Sequence, residues 1–278
     1  MSTIVQIRRR AQQWAVLSLA SASYLTTAHA LQPASEDPRA IMRAAYAPAG
    51  LDKVLSRMHM TIRSGGDNRV RVMSMRTKRF DAGRKSLLVL EEPADMRNTG
   101  FLAIDYNAKG KPDEQWLYLP HLQRVSRVPA SGKSDPFVGS DFSFADLGSV
   151  DPDDYDVKLL GAGVNVDGEA CWLIESVPRS DAVKRASGYT KFQIWIAKRT
   201  SVPIQTKLWT LDADRIKYLK ATDVRKVDGV WIPYRYQMRT LEHGAPVSET
   251  IIDVLSITPN SRDVTDEDFT QQRLARGL

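Results

Sequence analysis

The side chains able to do chemistry are few and scattered. Apart from His29, histidines stand at His59, His121 and His243, each isolated in sequence, and Cys171 is the single cysteine. Metal sites need His, Cys or carboxylate groups at short, regular spacing, which these positions do not offer. Asp151, Asp153 and Asp154 cluster beside Pro152 but lack the glycine and distal glutamate of a calcium loop, and read as a solvated turn. There is no Gly-x-Ser-x-Gly elbow and no phosphate loop. Asp141 and Asp146 flank Phe142 and Phe144. A carboxylate pair can do acid–base work, but short polar residues at such spacing more simply cap turns. Cys171 opens the apolar run Cys171-Trp172-Leu173-Ile174 with no cationic neighbour, the setting of an inert buried thiol. The reading is a binding protein with no catalytic residue, no metal and no cofactor.

What remains is apolar and aromatic. Met58 and Met60 alternate along one segment, Met73 and Met75 along the next, so a hairpin would gather four thioethers on one face. Methionine adapts to ligands of variable shape. Trp116 shares a face with Tyr118, and Trp195 with Gln193. Phe137, Phe142, Phe144 and Leu147 stand in a Gly- and Asp-rich stretch. These ten residues, Met58, Met60, Met73, Met75, Trp116, Phe137, Phe142, Phe144, Leu147 and Trp195, are the candidate ligand-binding set. An ordinary core is the plainer reading of the same residues.

Elements to position them follow from periodicity. Asp37 as N-cap and Pro38 at the first helical position start a short helix over 38–47, with Ala40, Ile41, Ala44 and Ala45 on its apolar face. Period-two alternation then begins. Met58, Met60 and Ile62 alternate with polar residues, Gly65-Gly66-Asp67-Asn68 makes a turn, and 69–80 returns as the partner strand. Similar runs cover 84–91, 100–106, 115–120, 123–128, 154–160, 170–177, 188–198, 202–211, 214–226, 229–240 and 247–258. Short connections favour antiparallel neighbours, and so many strands in succession suggest a sandwich or an up-and-down barrel. The segment from Pro129 to Pro152 breaks the alternation. Its aromatics argue for a structured, functional loop rather than disorder.

The N-terminus sets the compartment. Arg8, Arg9 and Arg10 precede an apolar run from Trp14 to Leu25, and Ala28-His29-Ala30 is a small-x-small cleavage pattern. This reads as a signal peptide over residues 1–30, followed by one mature domain over 31–278, soluble in the periplasm. The apolar run is too short to span a bilayer core of ~30 Å. The formal charge is +6, of which the three arginines leave with the signal. The remainder makes no case for nucleic acid.

Several stretches resemble a known family. Gln115-Trp116-Leu117-Tyr118-Leu119-Pro120, Arg124-Val125-Ser126-Arg127 and Gly139-Ser140-Asp141-Phe142-Ser143-Phe144-Ala145-Asp146-Leu147 follow in order. Asp154-Tyr155, Leu159-Leu160-Gly161, Tyr189-Thr190-Lys191 and Trp195-Ile196 continue the match. The chain resembles the LolA-like outer-membrane lipoprotein-sorting proteins of Gram-negative bacteria over most of residues 50–275. The resemblance implies a mainly β fold: an incomplete antiparallel β-barrel with short helices and a long loop covering its open side. It implies a periplasmic carrier that holds a lipid or acylated ligand in an apolar interior. The implied partners are an RND/MMPL-type inner-membrane transporter or an outer-membrane acceptor. Two other readings stay open, an accessory subunit that docks on a transporter without cargo and an enzyme acting on lipids. The signal-peptide reading predicts that protein recovered from the periplasm has an intact mass beginning at Leu31. A mass retaining Trp14 to Leu25 would mean an anchored protein.

Overall fold

The computed structural model describes residues 36–48, 50–108 and 111–277. The signal segment, residues 1–30, lies outside the described residues. Thirteen strands form one sheet: β1 (Lys53–Ser64), β2 (Asp67–Phe80), β3 (Gly83–Glu92), β4 (Gly100–Tyr106), β5 (Glu114–Leu119), β6 (Arg124–Arg127), β7 (Tyr155–Val166), β8 (Glu169–Pro178), β9 (Tyr189–Ala197), β10 (Pro203–Thr210), β11 (Arg215–Val227), β12 (Val230–Glu242) and β13 (Ala245–Pro259). The spatial order is β6-β5-β4-β3-β2-β1-β13-β12-β11-β10-β9-β8-β7. Every pairing is antiparallel. The chain enters in the middle with β1 and walks out to the β6 edge. It then crosses to the far edge at β7 and walks back until β13 pairs with β1.

Local sequence explains the walk. The turns Asp228-Gly229 and His243-Gly244 place both central residues at positive φ, 46° and 85° in the first and 49° and 82° in the second. That conformation matches the twist of the strands it joins. Closure fails because both edges are poor templates. β6 is four residues long with arginine at each end, and β7 breaks register with β8 around Gly161 and again before Val164. Short charged edges and bulges resist further pairing. The sheet is therefore an open half-barrel, not the sandwich or closed barrel that strand counting alone allowed.

Two apolar clusters form on its two faces. The concave cluster takes Met60, Ile62, Met73, Ile174, Ile194 and Met238 from the strands, Ile41 and Met42 from α1 (Pro38–Tyr46), and Phe137 and Phe142 from the segment linking β6 to β7. The convex cluster takes Leu87, Val89 and Leu102 and is covered by Val264, Phe269 and Leu274 of the C-terminal segment. A capping box between Thr265 and Asp268 starts the turn of 3-10 helix at Asp266–Phe269, and α3 (Gln271–Arg276) follows. α1 begins as its sequence predicts, with Asp37 accepting from the Arg39 amide at 3.0 Å. Met42 rather than Ala44 shares the burial with Ile41. Both α2 (Asp181–Ser187) and α3 escape a periodicity search, since two turns carry too little pattern and draw their stability from packing. No helix among the described residues is long and apolar enough to cross a membrane.

Leu274 is fully buried against the convex face. Leu274→Ala is expected to destabilise the fold by about 2–5 kcal/mol, the range for a buried leucine, read as a lower urea midpoint. An unchanged midpoint would mean the C-terminal segment is not part of the cooperative unit.

Candidate functional site

Residues directly opposite each other in an antiparallel ladder point to the same face, so register reads out the concave surface row by row. One row runs from Ile62 through Thr250, Met238, Leu219, Thr206, Ile194 and Ile174 to Leu159. It is an apolar belt with a hydroxyl at β13 and another at β10. The next row towards the rim runs from Ser64 through Ser248, Thr240 and Lys217 to Leu208, Phe192, Ser176 and Val157. On β12 and β13 the belt thus borders a patch of hydroxyls, Thr240, Ser248 and Thr250.

The segment joining the two edges lands on that patch. Asp141 is buried, and its carboxylate accepts from Thr240 Oγ1 at 2.5 Å, from Thr250 Oγ1 at 2.6 Å and from Ser248 Oγ. Its amide donates to Thr250 Oγ1 at 2.9 Å, and Lys217 Nζ donates to its carbonyl at 2.6 Å. A second anchor is Asp146, which accepts from the Ser143 amide at 2.8 Å and from the Tyr189 hydroxyl at 2.9 Å. A third is Gln115, whose Nε2 donates to the Phe144 carbonyl at 3.2 Å. With the backbone pinned on β5, β9, β12 and β13, its rings fall onto the concave face. Phe101, Phe137 and Phe144 form a three-ring contact with centroids 5.5 to 5.9 Å apart, within the range favoured by aromatic pairs.

Burial governs the ionisation of the interior groups. Burial first, then the Asp146 charge, holds the Tyr189 phenol well above its ordinary range, so it stays a donor to Asp146. Burial pushes Tyr155 and Tyr236 up to about 12. The Cys171 thiol is raised to about 11 by burial and then by Glu169, so it is protonated at neutral pH. Asp153 pairs with Arg39 and Arg43 of α1 at 3.5 and 2.7 Å, and Asp151 caps the turn that follows it. Asp151 and Asp154 are exposed in the expected turn, and Asp153 in addition fastens the helix. Among the described residues no three His, Cys, Asp or Glu side chains gather around a common point.

Eight of the ten candidate residues come to the concave side. Met60, Met73, Phe137 and Phe142 are buried in its cluster, and Met58, Phe144 and Leu147 pack against it. Met75, half-buried, stands opposite Leu88 of the same cluster. Trp116 and Trp195 do not join them. Trp116 alternates with Leu117, which faces inward, and packs with Tyr118 against the convex cluster. Trp195 lies between the buried, inward Ile194 and Ile196 and so points outward. With a period of two, an aromatic identity says nothing about which face it takes. The apolar cluster that holds the methionines also takes in the loop rings, and Ile41 and Met42 join it from α1, which packs by β7 and β8. A cavity of about 500 Å³ lies instead at the rim, lined by polar groups including Ser140, Asp141, Ser143, Arg215 and Lys217. Asp146 closes its own turn through Ser143, as expected of a local cap, and also holds Tyr189, whereas Asp141 reaches β12 and β13 instead of capping locally. The signal for the longer reach was the hydroxyls at inward positions of otherwise apolar strands, legible only once register is known.

Comparison with known proteins places this architecture. A family model described as an uncharacterized protein matches residues 82–276. The chain belongs to that family. Among solved structures, a domain named as an outer membrane lipoprotein-sorting protein from Vibrio parahaemolyticus superposes with a TM-score of 0.74 at 25% identity, over 82% of this chain and 93% of the other. A DUF1329 family protein from Desulfovibrio piger gives 0.73 at 28% identity, over 81% and 92%. A LolA superfamily protein from Nitrosomonas europaea gives 0.63 at 16% identity, over 85% and 98%, and supports the fold alone. No curated protein matches. The fold is LolA-like, as the motif resemblance implied.

Asp141→Ala would leave three hydroxyls facing an empty acceptor position. The expected loss is about 1–3 kcal/mol, the penalty for unsatisfied buried groups, measured by urea denaturation. A loss within error of zero would mean that the aromatic rings, not the carboxylate, hold the loop.

Proposed function

We propose that this protein is a periplasmic carrier that holds an acyl chain of a lipid or acylated protein between the concave sheet and the loop 129–152, without covalent chemistry. The observation that carries the reading is the unclosed sheet, whose apolar concave face is covered by a separable segment bearing Phe137, Phe142 and Phe144. A closed barrel core needs no such cover. The LolA-like fold and the lipoprotein-sorting name of the Vibrio structure support the same role.

The physical chemistry is adequate. An acyl chain gains roughly 0.8 kcal/mol per buried methylene, so about 16 carbons gain on the order of 10 kcal/mol. A ligand held that firmly needs a cover that moves. The loop meets the sheet through side-chain hydrogen bonds that water can replace, while the rings make way for methylenes of similar polarity. Gly139 and Gly148 bracket Phe142 and Phe144 and can take up the change in backbone angles. The signal-peptide pattern over residues 1–30 supports a periplasmic carrier. An RND/MMPL-type inner-membrane exporter or an outer-membrane acceptor is the partner that this reading proposes for such cargo.

One observation favours the second reading, an accessory subunit without cargo: the concave face is filled by the chain's own side chains. Titration of delipidated protein with a fluorescent fatty acid separates the two. The carrier reading expects saturable binding with displacement by unlabelled fatty acid, and Phe142→Ala should alter the release rate. Absence of saturable binding would leave the accessory reading in place.

A further inference from the structure

The concave face carries two arginines, of which Arg71 has no partner on the cover among the described residues. Arg69 stands opposite Ile62 and Arg71 opposite Met60, so both side chains project to the apolar side of the sheet. Arg71 is only 9% exposed. Its Nη1 donates to the carbonyl of its own neighbour Val70 at 2.8 Å, and its Nε is buried without a partner. A guanidinium has five donors, and burying one with so few of them used is unfavourable. An apolar side chain at this position would continue the methionine patch at no such penalty.

The neighbouring arginine touches the cover. Arg69 Nη2 donates to the Gly139 carbonyl at 3.2 Å. That carbonyl is delivered by two successive left-handed residues, Val138 at φ 45° and Gly139 at φ 74°. For a β-branched valine this conformation is strained. The approach is tight, since a Cβ at Gly139 would lie 3.1 Å from Arg69 Nη1. A strained turn thus holds one carbonyl oxygen, partly negative, against Arg69, two residues from Arg71 on the same strand face.

We propose that Arg69 and Arg71 bind the anionic head, a phosphate or a carboxylate, of the acyl ligand, and that the Gly139 carbonyl stands in for one of its oxygens when the protein is empty. The inference rests on the carrier reading and adds to it a ligand class, the anionic amphiphile. Planar guanidinium groups suit such oxyanions, and their hydrogen bonds to charged acceptors are the stronger kind. The acyl chain would then leave the head along Met60 and Met73, which flank Arg71 in the ladder and on its own strand. Head binding would also act on the cover. When Arg69 exchanges the Gly139 carbonyl for the ligand oxygen, the strained tip loses its hold, and the loop bearing Phe137 and Phe142 is freed at the moment the chain needs room. Burial, and after it the charge of Arg69, lowers the proton affinity of Arg71, with Asp95 acting weakly the other way. An anion between the two arginines relieves both effects.

The test compares three probes with the same twelve-carbon chain, dodecanoate, dodecyl phosphate and methyl dodecanoate, as competitors of a fluorescent fatty acid on the full mature protein. The expected result is that one or both anions bind roughly tenfold or more tightly than the neutral ester, the scale of one charge-assisted hydrogen bond. Dodecanoate in front identifies a fatty-acid head, dodecyl phosphate in front a phospholipid-type head. Arg71→Gln and Arg69→Gln should each erase the preference while leaving ester affinity in place. The wild-type preference should also shrink with added salt, a readout that needs no variant. Equal binding of all three probes overturns this inference and leaves the carrier reading standing. Failure of every probe to bind saturably overturns both.

Discussion

The two edges of the sheet never meet, and the rest of the molecule follows from that. A chain that builds six strands outward from the middle and seven back from the far side must cross the gap once, between β6 and β7. The crossing runs over an apolar concavity, so its backbone polar groups need partners and its side chains must cover what the sheet leaves open. Phe137, Phe142 and Phe144 meet the second demand. Asp141, Asp146 and the turn amides around them meet the first.

The balance between those demands decides what the crossing can do. Asp141 sits among three hydroxyls with no cation from the described residues on its carboxylate, an arrangement that satisfies a buried acid without locking it in an ion pair. The rings bury well but pack against methionine and isoleucine side chains, which accept many shapes. Neither contact has the cooperativity of a β-ladder. The proposed role draws on this difference, because moving parts come from elements held by side-chain contacts rather than by a ladder. On the opposite face the C-terminal segment makes a smaller covering, with Val264, Phe269 and Leu274 buried and Asp268 beside Arg76 and Arg273.

Much of this was legible in the sequence because strand signals are local. Each of the thirteen strands falls on an alternating run, and Asp37-Pro38 marks the start of α1. The motif from Gln115 to Leu147 carried the family resemblance and with it the open half-barrel, which alternation alone could not distinguish from a sandwich. What was not legible depends on register and distance. Trp116 and Trp195 face outward because their neighbours Leu117, Ile194 and Ile196 face in, a one-residue matter that identity does not reveal. Asp141 reaches Thr240, Ser248 and Thr250 across about a hundred residues, and nothing near it in the chain announces that. Arg71 shares the face that alternation gives to Met73 and Met75, but its burial shows only once its pairing with Met60 and the packing over it are known.

The central claim is that the segment from Pro129 to Pro152 is a cover that yields to an acyl chain, and amide hydrogen exchange addresses it most directly. Residues 137–147 should exchange faster than the flanking strands β12 and β13 in the delipidated protein, and their protection should change when hexadecanoate is added. Strong protection of 137–147, equal with and without hexadecanoate, would contradict the account and make the segment a permanent part of the core.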